Sequence, residues 1–252
     1  MVSLAMLTYL FYALTAMLLA TLFSMGGSGA GIALIPVLNF AGIDFTAAKA
    51  VGLFAGATTT MTASAMNLKR KAVDFKLLFP LASMMLLFAP FGAYCSQYID
   101  KEMLKFLFMI LLFYSATMML FGKKKSLVRY TAGWVLFAVG GIVGFLAGIL
   151  GVGGGNILIP FLTFLGFEPK KVAITVSFVV PFSALGSFAT YASYLQLDWI
   201  LIASVAVGAM IGGYIGNYLM YFKLRQKDIR KVMALLLYVL AFKLLFQFLP
   251  WG

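Results

Sequence analysis

Gly151-Val152-Gly153-Gly154-Gly155-Asn156-Ile157-Leu158-Ile159-Pro160 lies inside an uncharged run that extends from residue 130 to 167. A bilayer-crossing helix takes about 20 apolar residues, so this run is too long for one crossing and too short for two joined by a turn. The segment after the glycines, Asn156 to Gly166, makes about 16 Å of helix at 1.5 Å per residue. That is half of a hydrocarbon layer of roughly 30 Å. The run therefore predicts a helix, a glycine loop at membrane depth, and a half-helix. Residues 1–43 have the same layout, with Gly26-Gly27-Ser28-Gly29-Ala30-Gly31 followed by Ile32 to Gly42. The other uncharged runs, 50–68, 77–99, 106–122, 172–197, 199–222 and 232–252 (broken only by Lys243), each suit one crossing.

Composition agrees with this layout. Of 252 residues, 63% are hydrophobic and 10% charged, and the mean hydropathy is +1.05. Soluble domains carry about 25% charged residues, so this chain has too few to cover a water-facing surface. There is no His, and Cys95 is the single cysteine. His-based acid/base chemistry, His-liganded metals, internal disulfides and CxxC motifs are thereby excluded. The segment before Lys49 carries no Lys or Arg, so it lacks the positive region of a secretory signal and reads as a mature helix. The expected fold is all-α and integral to the membrane, with about eight transmembrane helices and two re-entrant segments.

An offset of 124 residues superposes the two halves without a gap. Between Gly27 and Gly42, nine of 16 positions match residues 151–166, including Gly27/Gly151, Gly29/Gly153, Gly31/Gly155 and Pro36/Pro160. Chance in a chain this rich in Gly, Leu and Phe gives about one or two. Residues 1–122 and 123–252 thus read as two repeats of one membrane domain. A helix with a half-helix returns to its own side, and three further crossings then leave the second repeat inverted. Charge agrees: 15 of the 19 basic residues fall on one face, and only Lys49, Lys101, Lys105 and Lys243 lie elsewhere. The positive-inside rule makes that face cytoplasmic and places both termini outside. The net charge of +12 is then a topology signal, not a nucleic-acid surface.

Inverted repeats with glycine- or proline-broken segments at matching positions point to a secondary transporter whose substrate binds between the broken helices. Unpaired backbone in hydrocarbon is costly, so a glycine loop at depth must line a cavity or a ligand. The N–H groups that open each half-helix, with the positive end of its dipole, form an anion cradle without formal charge. Gly27, Ser28, Gly29, Gly31, Gly151, Gly153, Gly154, Gly155 and Asn156 are the expected backbone and amide contacts. Candidate side-chain donors on the following helices are Thr58, Thr59, Thr60, Thr62, Ser64 and Asn67 in the first half and Thr175, Ser177, Ser183 and Ser187 in the second. Of these Thr59, Thr175, Ser177 and Ser183 are the expected partners of the anion, and Pro36 and Pro160 the hinges of the half-helices. Two plainer readings compete: close helix packing for the glycines and interhelical hydrogen bonds for the hydroxyls. No Asp or Glu lies in an uncharged run, which argues against carboxylate cation sites and proton relays. Gly151–Gly155 lacks the Lys-Ser/Thr pair of a nucleotide loop. Lys243 is the ionisable residue placed within a span, either reaching the outer interface or facing the pathway.

The glycine loop followed by Pro160, its copy from Gly27 to Pro36, and Thr175-Val176-Ser177 in the next helix together resemble the signature of the TauE/SafE sulfite-exporter family over essentially the whole chain. One departure is that Ser28 and Ala30 stand opposite Val152 and Gly154. The resemblance implies a multi-pass transporter of a prokaryotic cytoplasmic membrane that exports sulfite, a sulfonate or a related organosulfur anion by alternating access. It is not expected to be an enzyme or to hold a metal or cofactor, and its partners are the anion, the bilayer and possible further copies of the chain. Alternatives are a passive anion channel, or uptake of another small carboxylate or oxyanion. A lipid-processing enzyme or assembly factor is a further class, opposed by the lack of His, of paired carboxylates and of a Ser-Lys pair at depth.

Overall fold

The structure, a computed structural model, describes residues 2–27, 29–68, 75–121, 133–219 and 226–248. Ser28, Asp74, Arg129 and the basic clusters at 69–71, 123–125 and 223–225 lie outside the described residues. Among those described there are ten α-helices and one 3-10 turn, Ser96–Tyr98, and no strand. In chain order they are α1 (Val2–Met25), α2 (Gly31–Phe40), α3 (Phe45–Leu68), α4 (Phe75–Cys95) and α5 (Lys101–Phe121). Then come α6 (Gly133–Leu150), α7 (Gly155–Phe164), α8 (Pro169–Tyr194), α9 (Trp199–Leu219) and α10 (Gln226–Phe248).

Six segments are long and apolar enough to cross a membrane: Met6–Met25, Phe75–Tyr98, Lys101–Phe121, Gly133–Leu150, Lys171–Tyr194 and Trp199–Leu219. α3 and α10 have the length, but Lys49 and a run of hydroxyls dilute the first, and Asp228, Arg230 and Lys231 the second. α2 and α7 have 10 residues each, which is about 15 Å of helix and half a crossing. Both stop in the same way. Gly42 and Gly166 take φ of 94° and 92°, and the next residue's N–H bonds back to the last turn, Ile43 to Leu38 and Phe167 to Leu162, each at 3.1 Å. This left-handed glycine stop satisfies carbonyls that would otherwise be stranded. The helices that follow start on acidic residues. Asp44 Oδ1 accepts the Thr46 N–H at 2.9 Å, and Glu168 precedes Pro169, whose missing N–H costs nothing in a first turn.

α2, α3, α7 and α8 form the centre, and the longer apolar helices pack around it in pairs. α1 runs along α9 and α4 along α6, with small residues at the seams, as membrane helices require for close approach. A side chain at Gly92 of α4 would strike the Phe145 carbonyl of α6, and one at Gly216 of α9 would strike the Thr21 carbonyl of α1. These two contacts are each other's counterparts at the 124-residue offset, with the halves exchanged. The α5–α10 seam is aromatic instead: Phe113 meets Phe242 edge-on at 5.2 Å, and the Thr117 and Tyr238 hydroxyls lie 2.8 Å apart. The outer surface is apolar, with Phe75, Phe79, Trp134, Trp199 and Phe246 largely exposed. An apolar surface of this kind belongs against lipid.

Candidate functional site

Both glycine loops are built on backbone that ordinary residues avoid. Gly27 and Gly29 have φ of 80° and 73°, and Gly151 and Gly153 have 73° and 68°. Gly154 adds a third left-handed residue (φ 84°) as the N-cap of α7, whereas Ala30, the N-cap of α2, is ordinary right-handed backbone at φ −78°. The departure seen in sequence between Ala30 and Gly154 is thus a real difference in chain path. Every residue from Gly151 to Leu158 is buried. Gly151 and Val152 bond back to the Ala147 carbonyl, closing α6, and Ile157 and Leu158 bond to the Gly154 carbonyl, opening α7. The N–H groups of Gly153, Gly154, Gly155 and Asn156 find no acceptor among the described residues, as expected of a helix's first turn.

Asn156, in that first turn, is 5% exposed, and neither its amide nitrogen nor its amide oxygen has a partner. An unpaired buried amide costs about 1–3 kcal/mol, and this one stands beside the free N–H groups of the loop. Ser183 fixes the loop: its hydroxyl lies 2.8 Å from the Gly153 carbonyl and 3.0 Å from that of Val180. Gly153 itself rests on Val180 and Ala184 of α8. In the first loop Gly29 rests on Gly56 and Thr60 of α3, and Gly31 on the Gly52 carbonyl. Pro36 and Pro160 are buried within α2 and α7, which continue through them.

The remaining expected donors are distributed differently. The Thr59 hydroxyl bonds to the Ala55 carbonyl at 2.7 Å and faces α9 near Ala209 and Gly213, away from the loop. Its neighbour Thr60 is the one that touches Gly29. Ser177 joins α8 to α3, donating to the Ile174 carbonyl and accepting from Asn67 at 3.2 Å. Thr175 is buried in α8 two residues before Ser177. Three buried hydroxyls have no partner among the described residues: Ser187, one turn along α8 from Ser183 and a candidate donor from the sequence, and two that escaped the sequence reading, Ser24, in the last turn of α1 before the first loop, and Ser115 of α5.

Lys243 is exposed, with its ammonium 4.2 Å from the Phe40 ring centre. Among the described residues the buried lysine is Lys49, which the uncharged runs put at a helix boundary. α3 in fact starts at Phe45, so Lys49 sits in its second turn with no exposed surface. Outside the spans, Asp44 and Asp198 both titrate below the usual carboxylate range. Burial pushes Asp44 up, but the bond from Lys101 and the Thr46 N–H outweigh it. Burial likewise opposes the Leu201 and Ile200 N–H groups and the Tyr9 hydroxyl at Asp198, which caps α9, and loses.

This buried, N–H-lined loop beside an unpartnered amide thus lies in a chain coated with apolar side chains. The sulfite exporter TauE/SafE family matches residues 12–244. The chain belongs to the TauE/SafE family. It is 27% identical to the probable membrane transporter protein YunE of Bacillus subtilis over 90% of this chain and 93% of that one. It is 30% identical to the probable membrane transporter protein MJ0441 of Methanocaldococcus jannaschii over 69% of this chain and 67% of that one. No solved structure matches. This TauE/SafE protein is therefore a multi-pass membrane transporter, and these relatives' names indicate transport, not enzyme activity.

Proposed function

We propose that this TauE/SafE protein exports a small sulfur-containing anion, sulfite or a sulfonate, by alternating access across a prokaryotic cytoplasmic membrane. The observation that carries the reading is the unpartnered Asn156 amide beside the free N–H groups of Gly153–Asn156. Backbone N–H groups and an amide donor suit an oxyanion that must be bound and then released, because they attract it without a fixed ion pair. The family's description supplies the sulfur chemistry. A membrane potential negative inside drives an anion outward.

The accompanying architecture is eight crossings, α2 and α7 as re-entrant half-helices, repeats at 1–122 and 123–252 inverted relative to one another, and both termini outside. It is supported by the 10-residue lengths of α2 and α7, by positive-φ glycines paired at 27/151, 29/153 and 42/166, and by the exchanged Gly92 and Gly216 contacts. In this reading Gly27, Ser28, Gly29 and Gly31 form one half-site. Gly151, Gly153, Gly154, Gly155 and Asn156 form the other, pinned by Ser183. Thr175 and Ser177 lie on the helix that carries this pin, and Thr59 serves the α3–α9 seam.

Proteoliposomes loaded with labelled sulfite test the proposal. Saturable efflux accelerated by external unlabelled sulfite is the expected result, and Gly153→Val and Gly29→Val abolish it while both proteins still insert. Efflux that rises linearly with concentration and shows no counterflow indicates a channel. Unchanged affinity in both variants refutes the cradle.

A further inference from the structure

Lys49 has no exposed surface. Its ammonium lies 3.2 Å from the Ile149 carbonyl, 3.5 Å from Ser96 Oγ and 4.9 Å from the centre of the Tyr191 ring. An ammonium has three N–H donors, and only the Ile149 carbonyl accepts one at a good distance. The Gly148 and Ile149 carbonyls also serve the Tyr191 hydroxyl, at 2.9 and 3.2 Å, and that hydroxyl contacts Ser96 Oγ at 2.9 Å. No carboxylate pairs with Lys49; the ion pair among the described residues is Lys101 with Asp44. The negative end of α6 and the tyrosine face favour a cation here, but neither supplies the counter-charge that a buried ion requires.

The lysine stem runs directly beneath the second glycine loop. A side chain at Gly151 would fall 2.6 Å from Lys49 Cβ and 2.8 Å from Cγ. One end of the loop therefore rests on the aliphatic stem of Lys49, whose ammonium has no paired carboxylate, and the other ends at the unpartnered Asn156 amide. At the 124-residue offset the partner of Lys49 is Ala173, whose Cβ a side chain at Gly27 would meet at 3.4 Å. Matching positions meet in both halves, more closely at Gly151, and the charge is present in one only.

We propose that Lys49 is the counter-charge of the anion held by the Gly151–Asn156 loop, and that it selects a singly charged oxyanion, such as an alkylsulfonate or hydrogen sulfite, over a dianion. The inference rests on the anion-carrier reading above. A monoanion on the loop leaves the ammonium and ligand neutral as a pair. A dianion leaves one negative charge uncompensated in surroundings that penalise any buried net charge. The plainer role for Lys49 is a cap on the C-terminal end of α6, and the test separates the two.

The full-length protein in detergent is titrated with methanesulfonate and with sulfate, and binding is read as the ligand-dependent rise in melting temperature. Wild type is expected to bind methanesulfonate at least tenfold more tightly than sulfate. Lys49→Met weakens methanesulfonate tenfold or more and removes the preference, whereas Lys49→Arg keeps it. Should Lys49→Met fail to fold, Lys49→Gln retains a donor for Ile149 without the charge and carries the same comparison. A folded Met or Gln variant with wild-type affinity and preference overturns the inference alone and leaves Lys49 as a helix cap. Wild type that prefers sulfate also overturns it. If neither anion, nor sulfite, shifts the wild-type curve, the carrier reading falls and takes this inference with it.

Discussion

Replacing Gly151 and Gly27 by alanine, one at a time, asks whether two positions matched in backbone differ in their surroundings as the structure requires. Both have left-handed φ, 73° and 80°, a conformation that costs an L-residue about 1–2 kcal/mol. That cost is common to the two variants. The new methyl group at residue 27 meets only Ala173 Cβ at 3.4 Å, an ordinary contact. At residue 151 it meets Lys49 Cβ, Cγ and Cδ at 2.6, 2.8 and 3.0 Å. Lys49 Cβ cannot retreat unless the α3 backbone moves, and overpacking of this kind costs about 1–3 kcal/mol. Gly151→Ala is therefore the more damaging by about 1–3 kcal/mol, or roughly 2–12 °C at about 2–4 °C per kcal/mol for a chain of this size. Thermal unfolding in detergent, followed by tryptophan fluorescence, measures the gap. Adding Lys49→Ala to Gly151→Ala removes the Cγ and Cδ conflicts but keeps the one with Cβ, so the two changes couple and the recovery is partial. Equal melting temperatures for the two glycine variants, or a lower one for Gly27→Ala, would refute the packing of the loop on Lys49.

Asn156→Leu replaces two unpartnered buried amide atoms with apolar surface of similar size. The empty protein is expected to be as stable as wild type or up to about 3 kcal/mol more stable, while the melting shift produced by sulfite is lost; a destabilised variant with an intact shift would make the amide structural. Asp44 titrates below its unfolded value because the Lys101 and backbone N–H bonds outweigh burial, so its contribution is full above pH about 4 and declines as the pH falls below that. Acid titration of melting temperature should therefore fall more steeply for wild type than for Asp44→Asn between pH 5 and about 2, by a small amount because the side chain is 48% exposed; parallel curves would count against the cap.

The glycine loops, the two short helices after them and the membrane setting were legible in the amino-acid sequence because each follows from a length: an uncharged run that fits neither one crossing nor two. The placement of hydroxyls was not. Thr59 and Ser183 match at the 124-residue offset, yet only Ser183 reaches a loop carbonyl, while Thr59 bonds to Ala55 and faces α9. A helical hydroxyl always has the carbonyl four residues back available, so which neighbour it meets depends on packing and not on register. Thr60, about 100° further round the helix, is the residue that touches Gly29. Lys49 was missed for a related reason. Charges taken as the ends of apolar runs put Lys49 at a boundary, and nothing local distinguishes it as a lysine that α6, Ser96 and Tyr191 enclose. The signal was present in retrospect, since Asp44 caps α3 and a cap places Lys49 inside the helix, on its second turn.

The glycine seams bear on how the protein is made. α1 leaves the ribosome long before α9, which begins at Trp199 and whose Gly208, Gly212 and Gly216 lie against the α1 carbonyls. At 5–20 residues per second, synthesis separates the two by roughly 10–40 s. α4 waits for α6 in the same way, so the early helices sit in the bilayer with their partner faces open to lipid. Those faces then have to be kept from pairing with other nascent chains by lipid or by an insertion chaperone. A gene cut near residue 122 should yield two fragments that each insert, and that recover a stable carrier only when both are translated in the same membrane.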